Sequence, residues 1–208
     1  MKNIIIVGPS RSGKSTLAKR IHDELNYYVI SIDKLVGIFQ NAYPQLDIRL
    51  NWDREKTTEN IAPFLGHYLG MFSSSDGRGL LGYSHGAVEN NRFVLEGAYY
   101  DFDAIESVLR QYGVGNMKED FHLIGLVQRK KTAEDFFRDF RKFDTEQDWT
   151  YSLSDDELKA VSEEAVSYNE EMFSLLSKHG FDIYDTSDNR DEVLGEIIEK
   201  IARDLGKE

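Results

Sequence analysis

Eight residues near the N terminus carry the most direct chemical signal: Gly8-Pro9-Ser10-Arg11-Ser12-Gly13-Lys14-Ser15. Their spacing is GxxxxGK[ST], the pattern of a P-loop. The glycines let several backbone N–H groups turn into one concavity. A helix beginning near Gly13 adds the positive end of its dipole, so the loop suits a phosphate chain. Lys14 is long enough to reach β- and γ-phosphates, and the Ser15 hydroxyl is a ligand for Mg²⁺. Gly8, Pro9, Ser10, Arg11, Ser12, Gly13, Lys14 and Ser15 are therefore the candidate nucleotide-binding set. Thr16 joins them at the loop's end, on the surface of the helix.

A phosphate cradle does not name a reaction, so the remaining acids and bases matter. Asp33 follows an apolar run that reads as a second strand. Ligands of open parallel sheets lie beyond the carboxyl ends of strands, which puts Asp33 beside the γ-phosphate region if this strand neighbours the first. A carboxylate there can accept or orient the proton of an attacking hydroxyl; the alternative role is a helix N-cap. Glu96 ends the run Phe93-Val94-Leu95-Glu96 and is placed to hold Mg²⁺ through water. Arg138 and Arg141 are three apart and share a helix face. Together they form a candidate lid over the transferring phosphate, although Glu134, Asp135 and Asp139 offer them salt bridges. Arg49, Arg54 and Arg78 are candidate grips for an anionic acceptor, and Tyr83 and His85 for a base or sugar.

The elements that must position these groups follow from the apolar pattern. Ile4 to Val7 is β-branched and continuous, the mark of a strand buried on both faces. Further strands are predicted at Tyr28 to Ser31, Phe93 to Glu96, Phe121 to Val127 and Phe181 to Asp185. Helical patterns lie between them: Lys14 to Leu25, Asp33 to Gln40, Asp101 to Gln111 and Ala133 to Phe143. A capping box at Ser154 and Glu157 opens a long helix to about His179, and a last helix runs from about Asn189 to Leu205. This alternation predicts an α/β fold, a parallel sheet with crossover helices, as one domain over residues 1–208. Residues 44–91 break the rhythm and read as an inserted, mostly helical acceptor region. Residues 129–150 read as the lid.

Composition excludes several classes. Among 208 residues, 25 are Lys or Arg and 37 are Asp or Glu, a formal charge of −12. Such a field repels nucleic acid and anionic membranes, so phosphate must be captured locally. There is no cysteine, hence no disulfide and no thiolate metal site. The five histidines are scattered, without HExxH spacing. NIIIV is too short for a signal segment, and no stretch nears the roughly 18 apolar residues of a membrane span. A cytoplasmic protein, monomer or homodimer, is the expectation.

The stretches GPSRSGKS, SIDKL, VLEG, RKKTAEDFFRDFR and YDTSDNRDEV together resemble the nucleoside and nucleotide kinase-like group of P-loop proteins. SIDKL and VLEG look most like uridine kinase-like enzymes, and the arginine segment looks like adenylate and shikimate kinases. The resemblance implies a three-layer fold with a five-stranded parallel sheet of order 2-3-1-4-5. It implies ATP and Mg²⁺ at the P-loop, an acceptor pocket in the insertion, a closing lid, and adenine near residues 186–190. The helix KLVGIFQNAY carries no arginine, which weakens a nucleoside-monophosphate acceptor. The expected activity is phosphoryl transfer from ATP to a small hydroxylated metabolite, a nucleoside or nucleotide among them. A regulatory ATP-binding protein or ATPase is the alternative, and an antibiotic or nucleotide-sugar kinase a third. There is no NKxD-like guanine signature, the third strand lacks DxxG, and no LSGGQ-like segment occurs, which argues against a GTPase or transporter ATPase.

Overall fold

The computed structural model describes residues 2–50, 53–71, 92–146 and 148–206. Five strands form one sheet: β1 (Asn3–Val7), β2 (Tyr28–Ser31), β3 (Phe93–Gly97), β4 (Phe121–Val127) and β5 (Asp182–Asp185). Their order is β2-β3-β1-β4-β5 and every pairing is parallel, as the resemblance implied.

Period-two alternation along β1 explains the three layers. Ile5 and Val7 face one side, where α2 (Ile32–Ala42), α3 (Arg54–Met71), α4 (Phe102–Leu109) and α7 (Asp155–Lys178) supply Val36, Leu65, Ile105 and Leu176. Ile4 and Ile6 face the other, where α1 (Lys14–Leu25) and α8 (Arg190–Asp204) supply Leu17, Ile21, Leu194 and Ile198. Both faces of β1 are therefore dry, and its carboxyl end has nowhere to go but into the P-loop.

Boundaries differ from expectation by a residue or two. One element was not legible: the single turn α5 (Met117–Asp120), capped by the Asn116 side chain just before β4. The helix α6 (Ala133–Phe143) lies on α7 through Phe136, Phe140 and Leu158, a small cluster separate from the two main ones. Capping boxes fix both starts, Thr132 with Asp135 for α6 and Ser154 with Glu157 for α7. Between β2 and β3 the described residues hold α2, a 3-10 turn at Pro44–Leu46, and α3. No helix of the described residues is long and apolar enough to cross a membrane.

Candidate active site

The loop after β1 is held closed from several directions. Gly8 presses on β4, where a Cβ would stand 2.3 Å from the Leu126 carbonyl oxygen. Gly13 has φ +99°, the left-handed region open to glycine. Ser12 Oγ donates to the Pro9 carbonyl at 2.9 Å, and Lys14 Nζ donates to the same oxygen at 2.7 Å. From the far side of β4, Thr186 Oγ1 donates to the Ser12 carbonyl at 2.8 Å. Arg11 also has a left-handed backbone, φ +67°, a conformation that costs an L-residue about 1–2 kcal/mol.

Lys14 is the electrostatic centre. Burial pushes its ammonium down to about 8, and the nearby Glu96 and Asp33 carboxylates pull it partly back. Two cavities open on either side of it. The first, about 440 Å³, runs from Lys14 and Ser15 past Lys131 to Thr186, Ser187 and Arg190. The second, about 490 Å³, runs from the same two residues to Asp33, Arg54 and Glu96, with Trp149 and Tyr168 in its wall. Among the described residues, Arg11, Lys14 and Ser15 line both.

Ser15, Glu96, Asp33 and Lys14 thus converge. Ser15 Oγ donates to Glu96 Oε2 at 3.3 Å, and Glu96 is buried where β3 ends, paired in register with Ile6 and Ser31. Asp33 is exposed in the second cavity. It lies in the first turn of α2 and does not cap it, since the N-cap is Ser31. A hydroxyl beside a buried carboxylate is a hard-oxygen pair that fits Mg²⁺. That ion asks a protein for only one or two ligands when phosphates supply others. No cluster of three His, Asp or Glu side chains forms a dedicated metal cage among the described residues.

The arginines separate into two groups. Arg54 faces the second cavity, its guanidinium 3.9 Å from the centre of the Tyr168 ring and donating to the Ala98 carbonyl at 3.2 Å. It makes no ion pair among the described residues, and burial lowers its affinity for the proton. Arg138 and Arg141 line neither cavity in this arrangement: Arg138 pairs with Asp135, and Arg141 holds Asp155 at 2.6 Å and the Leu153 carbonyl at 2.9 Å. Arg49 pairs with Asp47 at 2.7 Å. Arg78, Tyr83 and His85 lie outside the described residues.

Sequence reasoning passed over three groups. Lys131 lines the first cavity, held by Asp139 one face along α6. Lys131 precedes the α6 N-cap Thr132, so helical spacing does not pair it with Asp139 in advance. Trp149 and Tyr168 line the second cavity, and nothing in their local sequence marks them.

No protein-family model matches the sequence, and a search of curated proteins gives no match. Solved structures do match in shape. A shikimate kinase from Bacteroides thetaiotaomicron superposes with a TM-score of 0.56 at 16% identity, over 99% of this chain and 98% of that one. A gluconokinase from Sinorhizobium meliloti 1021 gives 0.52 at 12% identity, over 98% and 95%. The YorR protein of Bacillus subtilis, in complex with phosphorylated GDP, gives 0.51 at 16% identity, over 99% and 98%. With its parallel sheet, strand order and loop, the chain has the P-loop kinase fold.

Proposed function

We propose that this protein transfers the γ-phosphoryl group of ATP to a hydroxyl of a small metabolite that also carries an anionic group. The observation that carries the reading is the pair of cavities meeting at Lys14 and Ser15. The first takes the nucleotide, with Thr186, Ser187 and Arg190 toward the base and the loop amides on the phosphates. The second takes the acceptor. Lys14 neutralises charge on the β- and γ-phosphates; Ser15 and Glu96 would hold Mg²⁺, which would supply further positive charge there. Asp33 receives or orients the acceptor proton. Arg54, exposed along that cavity and without a carboxylate partner among the described residues, is a fork for a carboxylate or phosphate of the acceptor. Shape similarity to a shikimate kinase and a gluconokinase supports the same class of reaction.

The test is a transfer assay with γ-labelled ATP and Mg²⁺ against pooled sugar acids, hydroxy acids, nucleosides and nucleotides. Label appearing on one anionic hydroxylated acceptor supports the reading. ATP consumed with label only in free phosphate overturns it in favour of an ATPase.

A further inference from the structure

The P-loop holds a side chain that the reading above does not use. Arg11 adopts a left-handed backbone in a loop where a glycine would sit without strain. A strained residue retained in a phosphate loop points to a use for its side chain. That side chain is not loose. It pairs with Asp144 and stands 3.4 Å from Asp148, both in the segment that follows α6. Asp144 is almost completely buried and is held from behind by the Thr150 hydroxyl. Asp148 is fixed by the Thr145 N–H and hydroxyl, each at 2.9 Å. The Phe140 ring backs the guanidinium at 6.0 Å.

Its position matters more than its partners. Arg11 joins Lys14 and Ser15 at the seam of the nucleotide and acceptor cavities. A phosphoryl group passing from one cavity to the other crosses this seam. Arg138 and Arg141 are bound elsewhere to Asp135 and Asp155.

We infer that Arg11 is a catalytic residue: its guanidinium contacts the transferring phosphoryl group, oriented by Asp144 as a positioning residue. The inference rests on the nucleotide reading above. In the step it serves, an acceptor or water oxygen forms a bond to the γ-phosphorus while the bond to the β–γ bridging oxygen breaks. ADP leaves with that electron pair, and the attacking oxygen's proton passes to Asp33 or to solvent. Charge spreads over the equatorial phosphoryl oxygens, and a planar donor held by a buried carboxylate meets it without reorganising. The same ion pair joins the phosphate loop to the segment carrying Trp149 and Thr150, which lines the acceptor cavity. Filling that cavity and aiming the guanidinium are thereby coupled.

The experiment needs no identified acceptor, because water serves as one. Arg11→Gly removes the side chain and relieves the backbone, so the loop keeps its shape; Asp144→Asn removes the orienting charge. Calorimetry with Mg-ATP, single-turnover hydrolysis of labelled ATP, and trapping of Mg-ADP with aluminium fluoride are measured on each. The expected result is Arg11→Gly binding Mg-ATP within about threefold of wild type, with hydrolysis down about 100-fold or more and the trapped complex lost. Asp144→Asn loses hydrolysis in the same direction without losing Mg-ATP. Hydrolysis and trapping at wild-type levels in Arg11→Gly overturn the inference while leaving the kinase reading intact. So does a parallel loss of Mg-ATP affinity, which marks a ground-state contact. Wild-type protein that binds no Mg-ATP overturns both.

Discussion

The hydroxyl of Thr186 donates to the carbonyl of Ser12 at 2.8 Å, across 174 positions of sequence. It also lies 3.2 Å from the Val127 carbonyl, and Thr186 is buried. The last strand's exit thus fastens the phosphate loop to β4. Thr186→Val keeps the shape and leaves the Ser12 carbonyl buried without that donor, at a cost of about 1–3 kcal/mol. Denaturant unfolding is expected to show that loss, and Mg-ATP affinity is expected to fall with it. Unchanged stability would mean that the hydroxyl is not holding the loop.

Asp33 shows how strand-end geometry reads through to chemistry. It stands exposed in the acceptor cavity, and its charge helps to raise the proton affinity of Lys14. Asp33→Asn is expected to lower turnover about 10²–10⁴-fold, the usual worth of a placed general base. Mg-ATP binding, measured separately, should survive. Full turnover in that variant removes Asp33 from the mechanism.

Lys14 sets two opposite pH dependences. Its native value of about 8 lies below its ordinary 10.5 because burial disfavours the charge. Between those values the unfolded chain holds more protons, so stability rises with pH across that window. The burial cost is full below about 8 and gone above 10.5. Nucleotide affinity runs the other way, since the phosphates need the ammonium. Competition binding with a fluorescent ATP analogue should show affinity falling as pH passes through about 8. A flat profile to pH 9.5 would contradict this role.

Ser154 offers a contrast in which stability moves and chemistry does not. Its hydroxyl and the Glu157 carboxylate close the capping box of α7, with Ser154 N donating to Glu157 at 2.8 Å. Ser154→Ala is expected to cost about 1 kcal/mol, a fall in Tm of about 2–4 °C, with ATP hydrolysis unchanged. A loss of hydrolysis at full stability would give this end of α7 a part in the site.

The fold was legible because its signals are local. A run such as Ile4–Val7 has no polar face, and it is buried on both sides in the centre of the sheet. The box Ser154–Glu157 announces its helix in four residues. The phosphate loop was legible for the same reason. Ionic partnerships were not, because charge spacing along a helix does not say which carboxylate answers. Arg138 and Arg141 share a face of α6, yet one is answered from its own helix and the other by Asp155 at the start of α7. Arg54, one of three arginines named together, stands out only once Tyr168 and Asp33 are brought beside it from distant elements. Nor does the sequence say that Arg11 takes a positive φ and reaches Asp144, 133 positions away.

The central claim is that residues 8–15 hold the phosphates of ATP. Isothermal calorimetry of Mg-ATP with wild type and with Lys14→Met tests it most directly. The expected result is one site per chain in the wild type, weakened about tenfold or more in the variant by loss of a charge-assisted contact. No heat of binding in the wild type, or equal affinity in both proteins, would contradict it.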